Sequence, residues 1–240
     1  MAPTRAEFEQ AVAAFWDVRQ QQLAASSIVG AVGAGTAGSV RGGGHFSAIA
    51  ALIARFFLDA GYPPEAVRLS RGQRLELPGY YRAQKQWDVV VAHRDTLVAA
   101  FELKALCGPS FGNNYNNRVE EALGSAVDIR RAALADLFPG EPPWLGYFFL
   151  MEDAEGSRRP VATASGSFRV DPIWFERSYQ ERFGIFCTRL RDERLYDSVC
   201  YLTSSAANPA PAEPVAALDW QHFSAGITAR LSYLESLGLP

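Results

Sequence analysis

The sequence predicts an α/β domain in which helices flank a mixed central sheet. Two apolar runs, 87–92 and 97–106, are separated by a short polar turn and indicate a strand hairpin. Helical periodicity follows over 117–137, and the uninterrupted apolar run 144–151 is typical of a strand buried on both faces. A hairpin, a helix and a buried strand in this order favour helices layered on a sheet.

The segments before the hairpin are less regular. Apolar residues at helical spacing predict an amphipathic first helix over 4–25 and a second helix over 45–60. Between them, residues 29–44 are predicted to form a glycine-rich loop. The segment 67–77 indicates a further strand. The arginines of this strand and of the residues up to 86 predict contacts with phosphates. The alternative for these arginines is a solvated face.

After the buried strand, the sequence predicts a polar loop over 152–173 and then an amphipathic helix and a closing strand within 179–203. A Pro/Ala linker, 204–217, leads to a C-terminal helix over 219–237 that is a candidate subunit interface. No composition shift divides the chain, so residues 1–240 are expected to form one domain.

Composition narrows the class of protein. The chain has 240 residues, 48% of them hydrophobic, and a net charge of −3, which argues against a general nucleic-acid coat and fits basic residues gathered on one face. The three cysteines have no metal-ligand spacing, so reduced thiols are expected. We expect a cytoplasmic protein, because neither a signal peptide nor a membrane-spanning apolar run is seen.

Three charged residues inside the hairpin are candidate catalytic groups. Asp88 lies in the first strand, while Glu102 and Lys104 are two residues apart in the second and therefore share one face. Two carboxylates on neighbouring strands suit Mg²⁺, which would polarise a phosphodiester and activate a water. Lys104 would orient that water or stabilise the developing charge. The alternative is an exposed sheet edge whose charges discourage aggregation.

Lysine usage favours the catalytic interpretation. The chain has 23 basic residues, but only Lys85 and Lys104 are lysines. A lysine in a chain that otherwise uses arginine is a small chemical hint.

The segment 108–125 contains four asparagines in five positions, which predict a loop rich in amide donors and acceptors. Asparagine can pair bidentately with adenine, and Arg118 can clamp guanine or a phosphate. For Asn116 and Asn117 the alternative is a helix N-cap, with Glu120 completing a capping box. The four asparagines are Asn113, Asn114, Asn116 and Asn117.

Together with Asp88 and 101–104, the segment 108–125 resembles the XhoI/PaeR7I family of type II restriction endonucleases. This family belongs to the PD-(D/E)XK nuclease class. Weaker likeness extends over most of the chain. The resemblance implies a PD-(D/E)XK core and Mg²⁺-dependent cleavage of double-stranded DNA at the palindrome CTCGAG to leave 5′ overhangs. It also implies pairing with a DNA methyltransferase. One active site per chain and a two-strand cut favour a two-fold homodimer.

The resemblance also assigns roles to residues. It implies Asp88, Glu102 and Lys104 as catalytic residues, with Leu103 joining the two carboxylates as a metal ligand. The chain departs from the family pattern at Gly44 and Ser47, where relatives carry a lysine and an acid, so the first turn of the second helix brings no acid to the metal. The predicted DNA contacts are Arg41, His45, Lys85, Gln86, Asn113, Asn114, Asn116, Asn117 and Arg118. For His45, a cap or surface position is the alternative.

Two other function classes stay open. A nuclease fold that binds DNA without cutting is one of them. The other is a dinucleotide-binding oxidoreductase, because Gly33–Gly38 matches the Gly-x-Gly-x-x-Gly fingerprint after the apolar run 28–32. The glycines within 39–44 argue against it, since a helix should open there.

Overall fold

The predicted hairpin forms the middle of the sheet. The computed structural model describes residues 2–29, 44–69, 74–164 and 166–239. Strands β4 (Val89–His93) and β5 (Thr96–Leu106) pair antiparallel. The two residues that join them, Arg94 and Asp95, have φ angles of 47° and 63°, as a tight hairpin turn requires.

The five-stranded sheet has the order β1-β4-β5-β6-β7, with β1 (Val67–Arg68), β6 (Leu145–Glu152) and β7 (Ser198–Ser204). The β1-β4-β5 part is antiparallel, whereas β5, β6 and β7 are parallel. Helices α3 (Phe111–Leu134) and α5 (Tyr179–Asp192) make the two parallel crossovers. The predicted mixed α/β class is therefore confirmed.

Helices cover both faces of this sheet. Alternation along β6 sends Tyr147 and Phe149 into one core and Phe148 and Leu150 into the other. The first core is closed by α3 and α5. The second is closed by three other helices, α1 (Arg5–Val29), α2 (Ser47–Asp59) and α6 (Trp220–Ser236). These confirm the predicted first, second and C-terminal helices. No helix in the described ranges is long and apolar enough to cross a membrane.

The predicted long strand over 67–77 is wrong, because its two ends belong to different sheets. β1 joins the main sheet, while β2 (Glu76–Pro78) pairs with β3 (Gln84–Gln86) in a separate two-stranded ribbon. Arg74 has a φ of 58°, which interrupts an extended chain just before the ribbon begins. We call the pair β2–β3 the ribbon below.

The predicted start of the third helix, at Asn117, is also wrong. Helix α3 begins at Phe111, so the asparagine segment is helical and not a loop. Phe111 is buried and stacks on Tyr179, while Tyr115 packs on Phe183 at 5.0 Å. Burial of these rings outweighs the weak helix propensity of asparagine. The proposed capping box of Asn117 does not form, because Asn117 lies in the second turn.

Two of the other predicted connections contain local structure. The polar segment 152–173 contains a short helix, α4 (Glu155–Arg158). The segment 204–217, predicted as a linker, lies against β7, where Thr203 and Ala212 exchange two backbone hydrogen bonds of 2.8 Å. Gly33–Gly38 and the rest of 30–43 lie outside the described residues.

Candidate active site

The antiparallel register brings Asp88 beside Glu102. The Asp88 N–H donates to the Phe101 carbonyl at 3.1 Å, and the Leu103 N–H donates to Asp88 Oδ2 at 2.7 Å. Lys104 Nζ lies 3.6 Å from Asp88 Oδ2 and also pairs with Glu102 Oε1. The two carboxylates therefore bracket one ammonium group, and the three predicted catalytic residues meet in space.

A second lysine completes this cluster. Lys85, on β3, contacts Glu102 Oε2 at 2.5 Å and lies 4.4 Å from the centre of the Trp87 ring. Both lysines of the chain therefore hold the same carboxylate. Sequence reasoning placed Lys85 among the DNA contacts, although the rarity of lysine was a signal for its nearness to the site.

The charges of the cluster are strongly coupled. Burial works to raise the pKa of Glu102, whose side chain is 4% exposed, but the ammonium groups of Lys104 and Lys85 outweigh it and hold that pKa below its usual value. Burial works to lower the pKa of Lys104, yet Glu102 and Asp88 raise it. Burial and the charge of Glu102 raise the pKa of Asp88. Lys104 is thus held as an ammonium, suited to stabilising negative charge.

A pocket of about 480 Å³ opens over this cluster, between the ribbon and α3. The cationic residues that line it are Arg82, Lys85, Lys104 and Arg118. Acids on the helix side, Glu120 and Glu121, partly offset this charge, and Arg118 pairs with Glu121. Four cations around one buried carboxylate suit a phosphate-containing ligand.

Seven of the nine predicted DNA contacts lie on α3 or on the ribbon. Asn113, Asn116 and Asn117 form an exposed polar face on the first two turns of α3, with Asn114 half-buried beside them. Arg118 follows them on the same helix and lines the pocket. Gln86 is exposed at the end of the ribbon. Arg41 lies outside the described residues.

His45 is in the core, in contrast to the cap or surface position considered for it. It is 8% exposed and packs against Phe15 at 5.1 Å and Phe46 at 4.9 Å. Its Nδ1 has no hydrogen-bond partner within the described part of the chain. Burial, with smaller contributions from Arg19 and Arg118, lowers the pKa of His45 to about 4.

We expect acid to destabilise the protein through His45. Because the folded pKa is depressed from 6.5 to about 4, the unfolded chain binds a proton in this window that the folded chain does not. The unfolding free energy of the wild type minus that of His45→Phe should fall by about 2 kcal/mol between pH 6.5 and about pH 5. Urea unfolding of both chains measures it, with the exposed His222→Gln as control. A pH-independent difference would contradict the prediction.

A buried acid on α3 escaped the sequence reasoning. Asp128 is 2% exposed and accepts hydrogen bonds from the backbone N–H groups of Tyr80 and Tyr81, at 2.8 and 2.7 Å. It also pairs with Arg82 Nε at 2.8 Å. No local pattern marks such a residue, because its partners lie more than forty positions away in the chain.

The donor set fits a hard divalent cation. The described residues contain no group of three or more His, Cys, Asp or Glu side chains that could hold a metal. However, Mg²⁺ needs only one or two carboxylates beside water and substrate oxygens. Asp88 and Glu102 already hold a cationic group between them. Leu103 contacts Asp88 through its N–H, and a metal contact through its other backbone atoms stays a prediction.

Comparisons with known proteins agree on one family. A family model described as restriction endonuclease XhoI matches residues 26–213. The chain is 41% identical over 176 residues to the type II restriction enzyme BstVI of Geobacillus stearothermophilus, covering 71% of this chain and 78% of the relative. It is 38% identical over 195 residues to the type II restriction enzyme XhoI of Xanthomonas vasicola, covering 79% of this chain and 78% of the relative. No solved structure matches this chain.

Proposed function

This chain belongs to the XhoI family of type II restriction endonucleases, and on that premise we propose that it cuts both strands of duplex DNA at CTCGAG, with Mg²⁺, leaving 5′ overhangs. Family membership makes it a site-specific deoxyribonuclease that binds DNA. Enzymes of this type generally use a divalent metal. The choice of Mg²⁺, the target and the overhang are supported by the resemblance of the asparagine segment and by the donor set of the pocket.

The observation that carries the proposal is the convergence of Asp88, Glu102 and Lys104 on one open pocket. Asp88 and Glu102, with the backbone of Leu103, are the residues that would hold the ion. When bound, Mg²⁺ supplies positive charge that stabilises the negative charge developing on the scissile phosphate. Burial and the nearby charge of Glu102 raise the pKa of Asp88, so a cation bound between the two carboxylates would stabilise its charged form.

The protein residues supply the rest of the chemistry. Lys104, kept as an ammonium, faces the phosphate and stabilises the charge that develops as water attacks phosphorus and the bond to the leaving oxygen breaks. Lys85 holds the other oxygen of Glu102 and so fixes the orientation of that carboxylate. Arg118 lies at the wall of the pocket, where it would bind a neighbouring phosphate or a guanine.

Two further proposals concern assembly and context. A double-strand cut needs two active sites, so we propose a two-fold homodimer on a two-fold target. We also propose a cytoplasmic location and a methyltransferase partner that protects the host sequence. Family membership favours an enzyme over a binding module, and it leaves no support for an oxidoreductase built on Gly33–Gly38.

Digestion of a plasmid that contains one CTCGAG site tests the proposal. We expect one double-strand cut that requires Mg²⁺ and is lost in EDTA, with fragment ends that show a 5′ overhang inside this sequence.

In the same digest, Asn113→Ala should relax or abolish the sequence choice, because an amide on the exposed face of α3 is lost. Tyr233→Phe, on the opposite face of the sheet, is the control. Cutting at other sequences would refute the assigned target, and an unchanged pattern with Asn113→Ala would remove that residue as a base reader.

A further inference from the structure

The hairpin loop of the ribbon is anchored by a buried acid. Residues 79–83 connect β2 to β3, and the carboxylate of Asp128 holds three consecutive residues of this loop. One oxygen accepts the two backbone N–H groups of Tyr80 and Tyr81, and the other pairs with Arg82. Burying an acid is costly unless it is fully paired, so this anchor stabilises one shape of the loop.

Gly79 shows that the anchor is closely packed. A Cβ atom at this position would lie 2.5 Å from Asp128 Oδ2 and 2.8 Å from the Arg82 carbonyl. Both distances are below van der Waals contact, and one partner is backbone. A side chain at position 79 would therefore displace the Asp128 carboxylate or the backbone of Arg82.

The anchored loop presents polar and aromatic side chains to solvent. Tyr80 is 50% exposed and Tyr81 67%, and neither hydroxyl has a hydrogen-bond partner among the described residues. Arg131 lies over the Tyr80 ring at 5.4 Å, and the two tyrosine rings meet edge to face at 5.0 Å. These contacts hold the two rings against each other and against Arg131, while their hydroxyls stay available as donors.

Arg82 is prepared for an anion on the pocket side. Its Nε lies 2.8 Å from Asp128 Oδ2, and Arg82 pairs with no second acid within the described ranges. One of them lies 3.7 Å from where a Cβ of Gly124 would stand, and both residues line the pocket. A guanidinium oriented through Nε presents its two outer N–H groups as a fork, which matches two phosphate oxygens.

On the proposed function, we infer that loop 79–83 is a clamp for the sugar-phosphate backbone beside the scissile phosphate. Arg82 binds the phosphate next to the one that is cut, and the hydroxyls of Tyr80 and Tyr81 donate to backbone oxygens further along the strand. Contacts of this kind position DNA but do not read its sequence. Asp128 is the positioning residue, because it orients Arg82 and the loop without reaching the ligand.

The test measures how salt weakens binding. Arg82→Gln and Asp128→Asn are each made in a Glu102→Ala chain, so that the duplex stays intact, and they are compared with Glu102→Ala alone. The probes are a short duplex with CTCGAG and a scrambled duplex of the same composition. Arg5→Gln is the matched control, since Arg5 is 47% exposed against 45% for Arg82, is also ion-paired, and lies on the opposite face of the sheet. In parallel, cleavage of a CTCGAG plasmid by the wild-type protein is measured, which tests the proposed function separately.

Loss of one phosphate contact should reduce the slope of log K against log salt by about 0.9. The advantage of the parent over Arg82→Gln should therefore shrink by about three- to fourfold between about 50 and 200 mM salt, equally on both duplexes. Asp128→Asn should weaken both duplexes in parallel, and Arg5→Gln neither. An unchanged slope for Arg82→Gln, or weakening of the CTCGAG duplex alone, would overturn the clamp. If Asp128→Asn lowers the melting temperature of the protein, the salt slope of Arg82→Gln alone decides whether the clamp exists. If the wild type does not cut the plasmid, the proposed function is contradicted. The slope of log K against log salt still tests whether Arg82 contacts a phosphate.

Discussion

Glu102→Ala should abolish DNA cleavage and leave duplex binding measurable. Glu102 is the most enclosed member of the cluster, and both of its oxygens are held by lysines. Without this carboxylate, the proposed divalent ion would lose one of its two proposed side-chain ligands, and the ammonium groups of Lys85 and Lys104 would lose a partner that both contact. We expect the single-turnover rate to fall by at least about 10³. Binding should persist, because the proposed phosphate contacts come from other residues.

A quenched-flow digest of a labelled CTCGAG duplex measures the rate, and fluorescence anisotropy measures binding. Glu9→Ala, on the outer surface of α1, is the control for the loss of a glutamate. The Glu102→Gln variant keeps the shape of the side chain and should be as inactive as Glu102→Ala, since a neutral amide binds Mg²⁺ poorly. Cleavage by either variant at the normal rate would disprove the assignment of the site.

The second large effect is expected at Lys104. Its ammonium touches Glu102 and lies 3.6 Å from Asp88, so it carries the charge nearest to both candidate metal ligands. Lys104→Met keeps most of the side-chain volume but removes the charge, and we expect the cleavage rate to fall by about 10²–10³. The same single-turnover digest measures this loss.

Lys85→Met is the matched comparison, because Lys85 also holds Glu102 but makes no ion pair with Asp88 in the described structure. Its expected loss of rate is smaller, since Lys104 still neutralises and orients Glu102. Lys104→Arg should recover little, because the planar guanidinium does not replace a compact ammonium between two carboxylates. A greater loss from Lys85→Met than from Lys104→Met would mean that the two lysines have exchanged roles.

The hairpin was predictable from local chemistry. Strand periodicity alone places Glu102 and Lys104 on one face and Phe101 and Leu103 on the other, and the structure shows this alternation. The run 144–151 likewise predicts β6, because a continuous apolar run of this short length is typical of a strand covered on both faces.

The start of α3 was not predictable in this way. Four asparagines favour turns and caps when only local preferences are considered. The rings of Phe111 and Tyr115 bury against α5, more than sixty residues later in the chain, and this burial extends the helix over the asparagines. His45 is a similar case, since polar character suggests the surface, whereas the packing of α1 and α2 encloses it.

By itself, the sequence determined the fold class, the face on which Glu102 and Lys104 lie, and the family resemblance, because alternation and short motifs depend on residues close together in the chain. Only the tertiary structure decided that Lys85 joins the cluster of Asp88, Glu102 and Lys104, and that Asp128 anchors loop 79–83. These contacts join the ribbon to β5 and to α3 across long stretches of chain. They depend on how buried surfaces pack, which no local pattern of residues encodes.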